Sequence, residues 1–257
     1  KEMTVLFSDI RSFTTLSESM TPQQTFKFIN SYLSRVSPLI REHHGFIDKY
    51  IGDAIMALFP QSADDAVRAA LAMQREVITY NQHRHNSGYV PISIGVGLHT
   101  GNLMLGTVGE SERMDTTVIA DAVNLASRLE GLTKLYGVGI LVSEYMLHKL
   151  ESLENYSFRF LDRVRVKGKN QPVTIYEIYE DTLNESNQFK TQTKTLFEQG
   201  IVDYYGQNFD KAQQTFEEVL AIDPQDTAAM LYVKRCEQYR HQDISEDWEG
   251  VTALDAK

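Results

Sequence analysis

The sequence predicts an α+β fold, and three observations carry that expectation. Strand-like and helical stretches alternate as β-α-β-β-α-β over the first hundred residues, short strands continue to residue 179, and beyond residue 188 the pattern turns helical. Residues 3–9 read as a strand, after which Phe26, Ile29, Leu33, Val36 and Ile40 recur at helical spacing as far as Gly45. Residues 46–51 and 54–59 read as two strands joined by Gly52-Asp53 as a hairpin turn. The Ala-rich run 64–82 reads as a helix, followed by the alternation Ile92, Ile94, Val96, Leu98 of a strand. This order is ferredoxin-like, with an antiparallel sheet, helices on one face and the other face open to a partner or ligand. Strands at 103–108, 116–119, 140–142, 158–166 and 173–179 and a helix at 121–134 extend the core.

Residues 1–180 thus form the first expected domain. The polar run 181–188 reads as a linker, and residues 189–240 as a small α-helical hairpin. Within it Gly200, Tyr204, Gly206, Phe209, Ala212, Phe216 and Pro224 resemble a tetratricopeptide helix pair, one copy of a motif that repeats about every 34 residues. One copy does not bury its own apolar face, so it is expected to pack on the preceding domain, continue an array or hold a protein partner. Residues 241–257 are acidic and read as a mobile tail.

Net charge is −10 and no Lys/Arg-rich block occurs, which excludes a nucleic-acid footprint and leaves anionic ligands to local cations or metals. The single cysteine, Cys236, permits no internal disulfide and suggests a reducing, cytoplasmic setting, either for the whole protein or for the cytoplasmic portion of a larger one. No apolar run approaches the roughly 20 residues of a membrane helix. A strand that starts almost at residue 1 raises the expectation of upstream sensor or membrane domains.

The candidate chemistry begins with two aspartates. Asp9 in VLFSDIRSFT and Asp53 in FIDKYIGDAIMALF sit at strand ends that a β-hairpin can bring together, as a carboxylate pair for metal ions that screen a polyphosphate. In TTVIADAVNLASRLEG, Asn124 and Arg128 lie four apart on the helix face opposite Ala122, Leu125, Ala126 and Leu129. Lys167 and Lys169 flank Gly168 and project cations from a turn. His99 reads as a structural residue, and Lys49, between Ile47 and Ile51 and on their side of the pleat, is an unusual occupant of a strand.

FSDIRSFT, DKYIGDAIMALF, GVGLHTG, TTVIADAVNLASR and VKGK, in this order, resemble the class III nucleotidyl cyclase catalytic domain across residues 3–180. The resemblance implies a head-to-tail homodimer with two interfacial sites that cyclise a nucleoside triphosphate and release pyrophosphate. Asp9, Asp53 and the Ile10 carbonyl would bind two Mg²⁺ or Mn²⁺ ions, and the amides of Phe13 and Thr14 would cradle phosphate oxygens. The partner subunit would contribute Asn124 toward the ribose, Arg128 toward the α-phosphate and Lys167 toward the terminal phosphates. At the base-selecting positions, Lys49 can donate to adenine N1 and Thr117 can accept from the N6 amino group, which argues for ATP and an adenylate cyclase. Thr117 further resembles the bicarbonate-responsive soluble and cyanobacterial subgroup, which implies bicarbonate as an activator. One departure is Gly95, where many members carry a phosphate-binding Arg; Arg113 is a candidate substitute. A guanylate cyclase, and a catalytically weak nucleotide-binding or scaffold module, are the alternatives.

Overall fold

The structure, a computed structural model, describes residues 1–110, 113–119, 121–166, 171–242, 244–245 and 248–254, with backbone alone at 105, 107–110, 113–119, 166 and 252–254. The chain forms two compact units, residues 1–134 with 139–153, and residues 135–138 with 154–257.

In the first unit β1 (Glu2–Ile10) leads through α1 (Phe13–Glu18) and α2 (Pro22–Glu42) to the hairpin β2 (Phe46–Ile51) and β3 (Ala54–Phe59), then α3 (Ala63–Asn86) and β4 (Ile94–Asn102). Strand order is β4-β1-β3-β2 with β1 antiparallel to both neighbours, the ferredoxin-like order, and β7 (Ile140–Ser143) adds parallel to β4. β5 (Met104–Glu110) and β6 (Arg113–Ile119) pair as a separate antiparallel hairpin, while α4 (Asp121–Tyr136) and the short α5 (Glu144–Leu147) flank β7 in sequence.

Local chemistry explains the helices. Thr21 and Gln24 close a capping box ahead of α2, Pro22 opens its first turn, and one face buries Phe28, Tyr32, Val36 and Ile40. Ser62 caps α3, whose first turn carries Asp64 and Asp65 against the helix dipole.

The register decides which side chains share a face. Val5 opposes Leu58, Phe7 opposes Met56 and Gly97, and Asp9 opposes Gly95, so these residues lie on one side of the sheet. That side is not open, contrary to the expectation from the element order. Ala122 and Ala126 of α4 pack there among Met3, Val5, Met56 and Leu58. The glycines of β4 permit this approach: a Cβ on Gly97 would stand 2.2 Å from the Glu130 amide nitrogen and 2.3 Å from the Ala126 carbonyl oxygen.

A β-bulge corrects the reading of Lys49. The register shifts between Ile47, opposite Ala57, and Lys49, opposite Met56, and adjacent residues of β3 point to opposite faces. Lys49 therefore leaves the side of Ile47 and shares the face of Met56, Phe7 and Asp9, where its side chain is 40% exposed and its amine lies 3.3 Å from Asp48 Oδ2.

In the second unit β8 (Ser157–Val166) pairs antiparallel with β9 (Val173–Tyr179) and parallel with β10 (Thr252–Leu254). The expected α-helical hairpin follows β9 as α6 (Glu185–Tyr205) and α7 (Phe209–Ile222), and a further helix, α8 (Thr227–Tyr239), adds to it. α6 starts four residues earlier than the apolar spacing predicts because the Asn184 side chain accepts from the Asn187 amide. Gly200 seats Phe216 against α6, Phe216 stacks on Tyr232 at 4.9 Å, and Tyr204 meets Phe209 at 5.7 Å, so these motif residues are packing residues. The tail differs from its expected mobility: Trp248 lies 5.3 Å from Tyr204 and 5.2 Å from Tyr239, and β10 pairs with β8, contacts that acidic composition does not announce.

This unit buries charge. Arg159, fully inaccessible, bonds Glu177 at 2.8 Å and Asp226 at 2.6 Å and lies 4.3 Å from the Phe197 ring; Lys190 meets the other oxygen of Glu177. Asp162 takes hydrogen bonds from Arg235 at 2.6 Å and from the Tyr205 hydroxyl at 2.8 Å.

Two stability measurements follow from this packing. Gly97→Ala should lower unfolding free energy by about 1–3 kcal/mol, because backbone rather than a flexible side chain must yield. Gly131→Ala, on the facing helix α4 with nothing within 4 Å of the added carbon, should raise it by about 0.5–1 kcal/mol through helix propensity. Equal urea midpoints for the two variants would contradict the close-contact account. Arg159→Met should cost about 3–5 kcal/mol, since it strands buried carboxylates, and a denaturation curve unchanged from the parent would show that the network carries no stability.

Candidate active site

Asp9 is the penultimate residue of β1, and Asp53 follows Gly52 in the β2–β3 turn. Gly52 has φ +66°, a conformation glycine adopts without strain, and the turn it makes carries Asp53 back to the end of β1. The two carboxylates meet at a single donor. The Ile10 amide lies 3.0 Å from Asp9 Oδ1 and 3.2 Å from Asp53 Oδ2.

Burial, then the hydrogen bond and charge of Asp9, push the half-buried Asp53 carboxyl up to about 7. A third acid stands nearby that the sequence reading did not single out. Glu130 of α4 is likewise pushed up to about 7, by burial first and then by Asp9 and Asp53, with Arg11 opposing. A Cβ on Gly95, the register partner of Asp9, would lie 2.7 Å from Glu130 Oε1 and 2.2 Å from Thr133 Oγ1. Gly95 is thus the space into which α4 lowers Glu130 and Thr133.

Arg11 is the second residue missed. Burial lowers its pKa while Glu130 raises it, and its guanidinium donates to the Thr133 carbonyl at 3.2 Å. The pattern offered a signal for Glu130: Ala122, Ala126 and Glu130 are spaced by four and share the face that α4 turns to the sheet.

The other candidates are dispersed. Asn124 is exposed and Arg128 half-buried on α4. Two residues of helix rotate Arg128 by roughly 200° from Glu130, so the α4 side chain beside the aspartates of the same chain is Glu130. Phe13 and Thr14 open α1, whose preceding Ser12 makes no side-chain cap. Thr117 belongs to β6 opposite Gly106, with its side chain outside the described residues, as is that of Arg113. Lys167 and Lys169 lie outside the described residues altogether. His99 has the structural place expected of it, with Nδ1 2.6 Å from the Ser143 hydroxyl that caps α5.

Two carboxylates and backbone carbonyls are hard oxygen donors, which suit Mg²⁺ or Mn²⁺. Their mutual repulsion, which adds to burial in raising the Asp53 pKa, is what a divalent cation would relieve. Among the described residues no group of three or more His, Cys, Asp or Glu side chains could hold a metal ion. A cation here would complete its shell with water and substrate oxygens, as Mg²⁺ does at polyphosphates.

Comparison with known proteins places these features in a family. The sequence model of the adenylate and guanylate cyclase catalytic domain matches residues 1–180. An adenylate cyclase from Anabaena cylindrica is 48% identical over 184 residues, covering 69% of this chain and 37% of that protein. A terminal-differentiation-specific adenylate cyclase from Dictyostelium discoideum is 37% identical over 246 residues, 93% of this chain and 11% of that one. The chain therefore spans only a minor part of either relative. Among solved structures, the adenylyl cyclase CyaB from P. aeruginosa superposes with TM-score 0.62 at 33% identity, covering 70% of this chain and 94% of that one. The guanylyl cyclase Cya2 gives 0.60 at 32%, covering 69% and 91%.

The two raised acids predict a pH dependence for the metal-free protein. Folded Asp53 and Glu130 bind protons up to about pH 7, whereas unfolded they release them near about pH 4. Their stabilising contribution is complete below about pH 4 and is lost as pH rises through about 7. Thermal midpoints in chelator should fall less over pH 4–7 for Asp53→Asn and Glu130→Gln than for the parent; parallel profiles would contradict the shifts.

Proposed function

This chain belongs to the adenylate and guanylate cyclase catalytic domain family, and from that premise we propose that residues 1–180 convert ATP to 3′,5′-cyclic AMP and pyrophosphate at sites completed by a homodimer. The observation that carries the reading is the convergence of Asp9 and Asp53 on the Ile10 amide. In the reaction the ribose 3′-oxygen bonds to the α-phosphorus, the bond to the bridging oxygen of pyrophosphate breaks, and the hydroxyl proton is lost. Two Mg²⁺ or Mn²⁺ ions, when held by Asp9, Asp53 and the Ile10 carbonyl, supply the positive charge that favours an ionised 3′-oxygen and a departing pyrophosphate.

The side chains divide the remaining work. Phe13 and Thr14 present the first amides of α1 to phosphate oxygens. Lys49 offers a donor to adenine N1 from the sheet face that also carries Asp9, and Thr117 accepts from the N6 amino group. Asn124 orients the ribose, Arg128 meets charge at the α-phosphate, and Lys167 binds the terminal phosphates, all three from the partner subunit. The split is supported by α4, which turns Glu130 rather than Arg128 toward its own aspartates. Dimerisation is supported by the edge strand β2, where Phe46, Tyr50 and Ile51 are exposed, together with Phe26 of α2.

The reading extends to regulation and setting. Thr117 supports bicarbonate as an activator, checked by turnover at fixed pH. The Gly200–Phe216 contact and the packed Tyr204 and Phe209 support a tetratricopeptide-like pair within residues 189–240, and a protein partner for it rests on the sequence motif alone. No helix among the described residues is long and apolar enough to cross a membrane, which accords with a cytoplasmic catalytic portion. The likeness to a guanylyl cyclase makes GTP the competing substrate.

Incubation with ATP or GTP and Mg²⁺ or Mn²⁺ should yield cyclic AMP from ATP. Asp53→Ala should reduce turnover at least a thousandfold with the fold intact by circular dichroism. Mixing Asp53→Ala with Arg128→Ala should recover about one functional site per heterodimer. Cyclic GMP as the main product would refute the Lys49/Thr117 assignment, and no recovery in proven heterodimers would refute the shared site.

A further inference from the structure

A cavity of about 500 Å³ opens between α1, the start of α2, the end of α3 and the turn that follows it. Arg84 lines it. This residue is 5% exposed, its Nε donates to the Val90 carbonyl at 2.7 Å, and its guanidinium centre lies 4.7 Å from the Phe28 ring, 5.5 Å from Tyr89 and 5.7 Å from Tyr80. Among the described residues no carboxylate or carbonyl accepts from its two terminal nitrogens. A buried arginine ordinarily has an anionic partner, because desolvating an unpaired charge is costly. Three aromatic rings offset part of that cost.

The composition of the wall points the same way. No Asp or Glu lines the cavity, although 35 of the 257 residues are acidic and the net charge is −10. Lys27 and His83 stand exposed at the mouth with no acidic partner among the described residues. Arg35 also lines the cavity, but its charge is met by Glu76 at 2.9 Å. The site is therefore positive, aromatic and free of competing acids in a protein that is otherwise negative.

We propose that this cavity binds a small amphipathic monoanion, with its carboxylate on the Arg84 terminal nitrogens and its apolar body against Phe28, Tyr80 and Tyr89, and that occupancy alters turnover at the carboxylate pair. A guanidinium fork matches a carboxylate in two parallel hydrogen bonds, and the volume suits a ligand of about eight to ten carbons. The route to the carboxylate pair is short. Phe28, whose ring covers Arg84, stacks on Phe13 at 6.2 Å with 15° between planes, and Phe13 opens the helix that follows Asp9 and Ile10. This effector role rests on the cyclase reading; the binding itself does not.

Calorimetric titration of the nucleotide-free chain with octanoate, octanol, octylammonium and bicarbonate tests the site. Octanoate should saturate at one per chain, with the other three at least tenfold weaker. Because Arg84→Met removes buried contacts and risks the fold, the exposed pair Lys27→Glu/His83→Glu serves as the main variant and should weaken octanoate at least tenfold. Octanol or bicarbonate binding as tightly as octanoate, no saturable octanoate binding, or unchanged affinity in the double variant would overturn the proposal. Octanoate should also change turnover in the parent and not in the double variant; binding without that change would overturn the effector role. A chain that binds octanoate yet forms no cyclic nucleotide with or without it would refute the cyclase reading and leave the binding site standing.

Discussion

The first unit depends on how closely α4 approaches β4. At Gly97 the helix backbone occupies the place of a side chain, 2.2–2.3 Å from where a Cβ would stand. No rotamer change could relieve a contact of that kind, so the glycine sets both the depth and the rotation of the helix. Rotation is what matters for the site. It lowers Glu130 and Thr133 over Gly95 beside Asp9, leaves Asn124 in solvent, and turns Arg128 away from the aspartates of its own chain. Gly95, which reads in the sequence as a lost phosphate-binding cation, is in the structure a requirement of helix packing.

That packing concentrates charge. Three acids, Asp9, Asp53 and Glu130, stand near the half-buried Arg11, and two of the acids hold their protons up to about pH 7. Such an arrangement opposes stability above that pH, and it persists because each group is held by a different element: β1, the β2–β3 turn and α4. The same like-charge crowding that disfavours the metal-free fold above that pH is what a divalent cation would relieve. Close packing elsewhere offsets the cost of this charge cluster at the end of β1.

The second unit solves a different problem with buried charge. Arg159 of β8 is held by Glu177 of β9 and by Asp226, which also caps α8, while Asp162 of β8 gathers Arg235 and Tyr205. The bonds to Tyr205, Asp226 and Arg235 link strands to helical segments 43 to 73 residues away in sequence. Apolar side chains of similar volume can fill such a space, but directional charged hydrogen bonds admit few alternative registers. The arrangement makes the β8–β9 pair and the three helices one packed body around Phe197, Phe216 and Tyr232.

Periodicity alone was sufficient for the ferredoxin-like order, for most element bounds and for the apolar stripe of α4, because alternation at two and recurrence at 3.6 residues are local properties of a chain burying one face. The Asp9–Asp53 meeting was also legible, since a hairpin between two strands returns its tip to the neighbouring strand end. What escaped were properties of pairs distant in sequence. The bulge at Asp48 that moves Lys49 to the face of Asp9, the covering of that face by α4, the entry of Glu130 and Arg11 into the site, and the third helix that stacks Tyr232 on Phe216 all arise where separate elements meet. Sequence by itself determined most of the strands and helices and which residues are candidates for chemistry; only the tertiary structure decided which residues face one another, because register and helix rotation are set by contacts that no local pattern encodes.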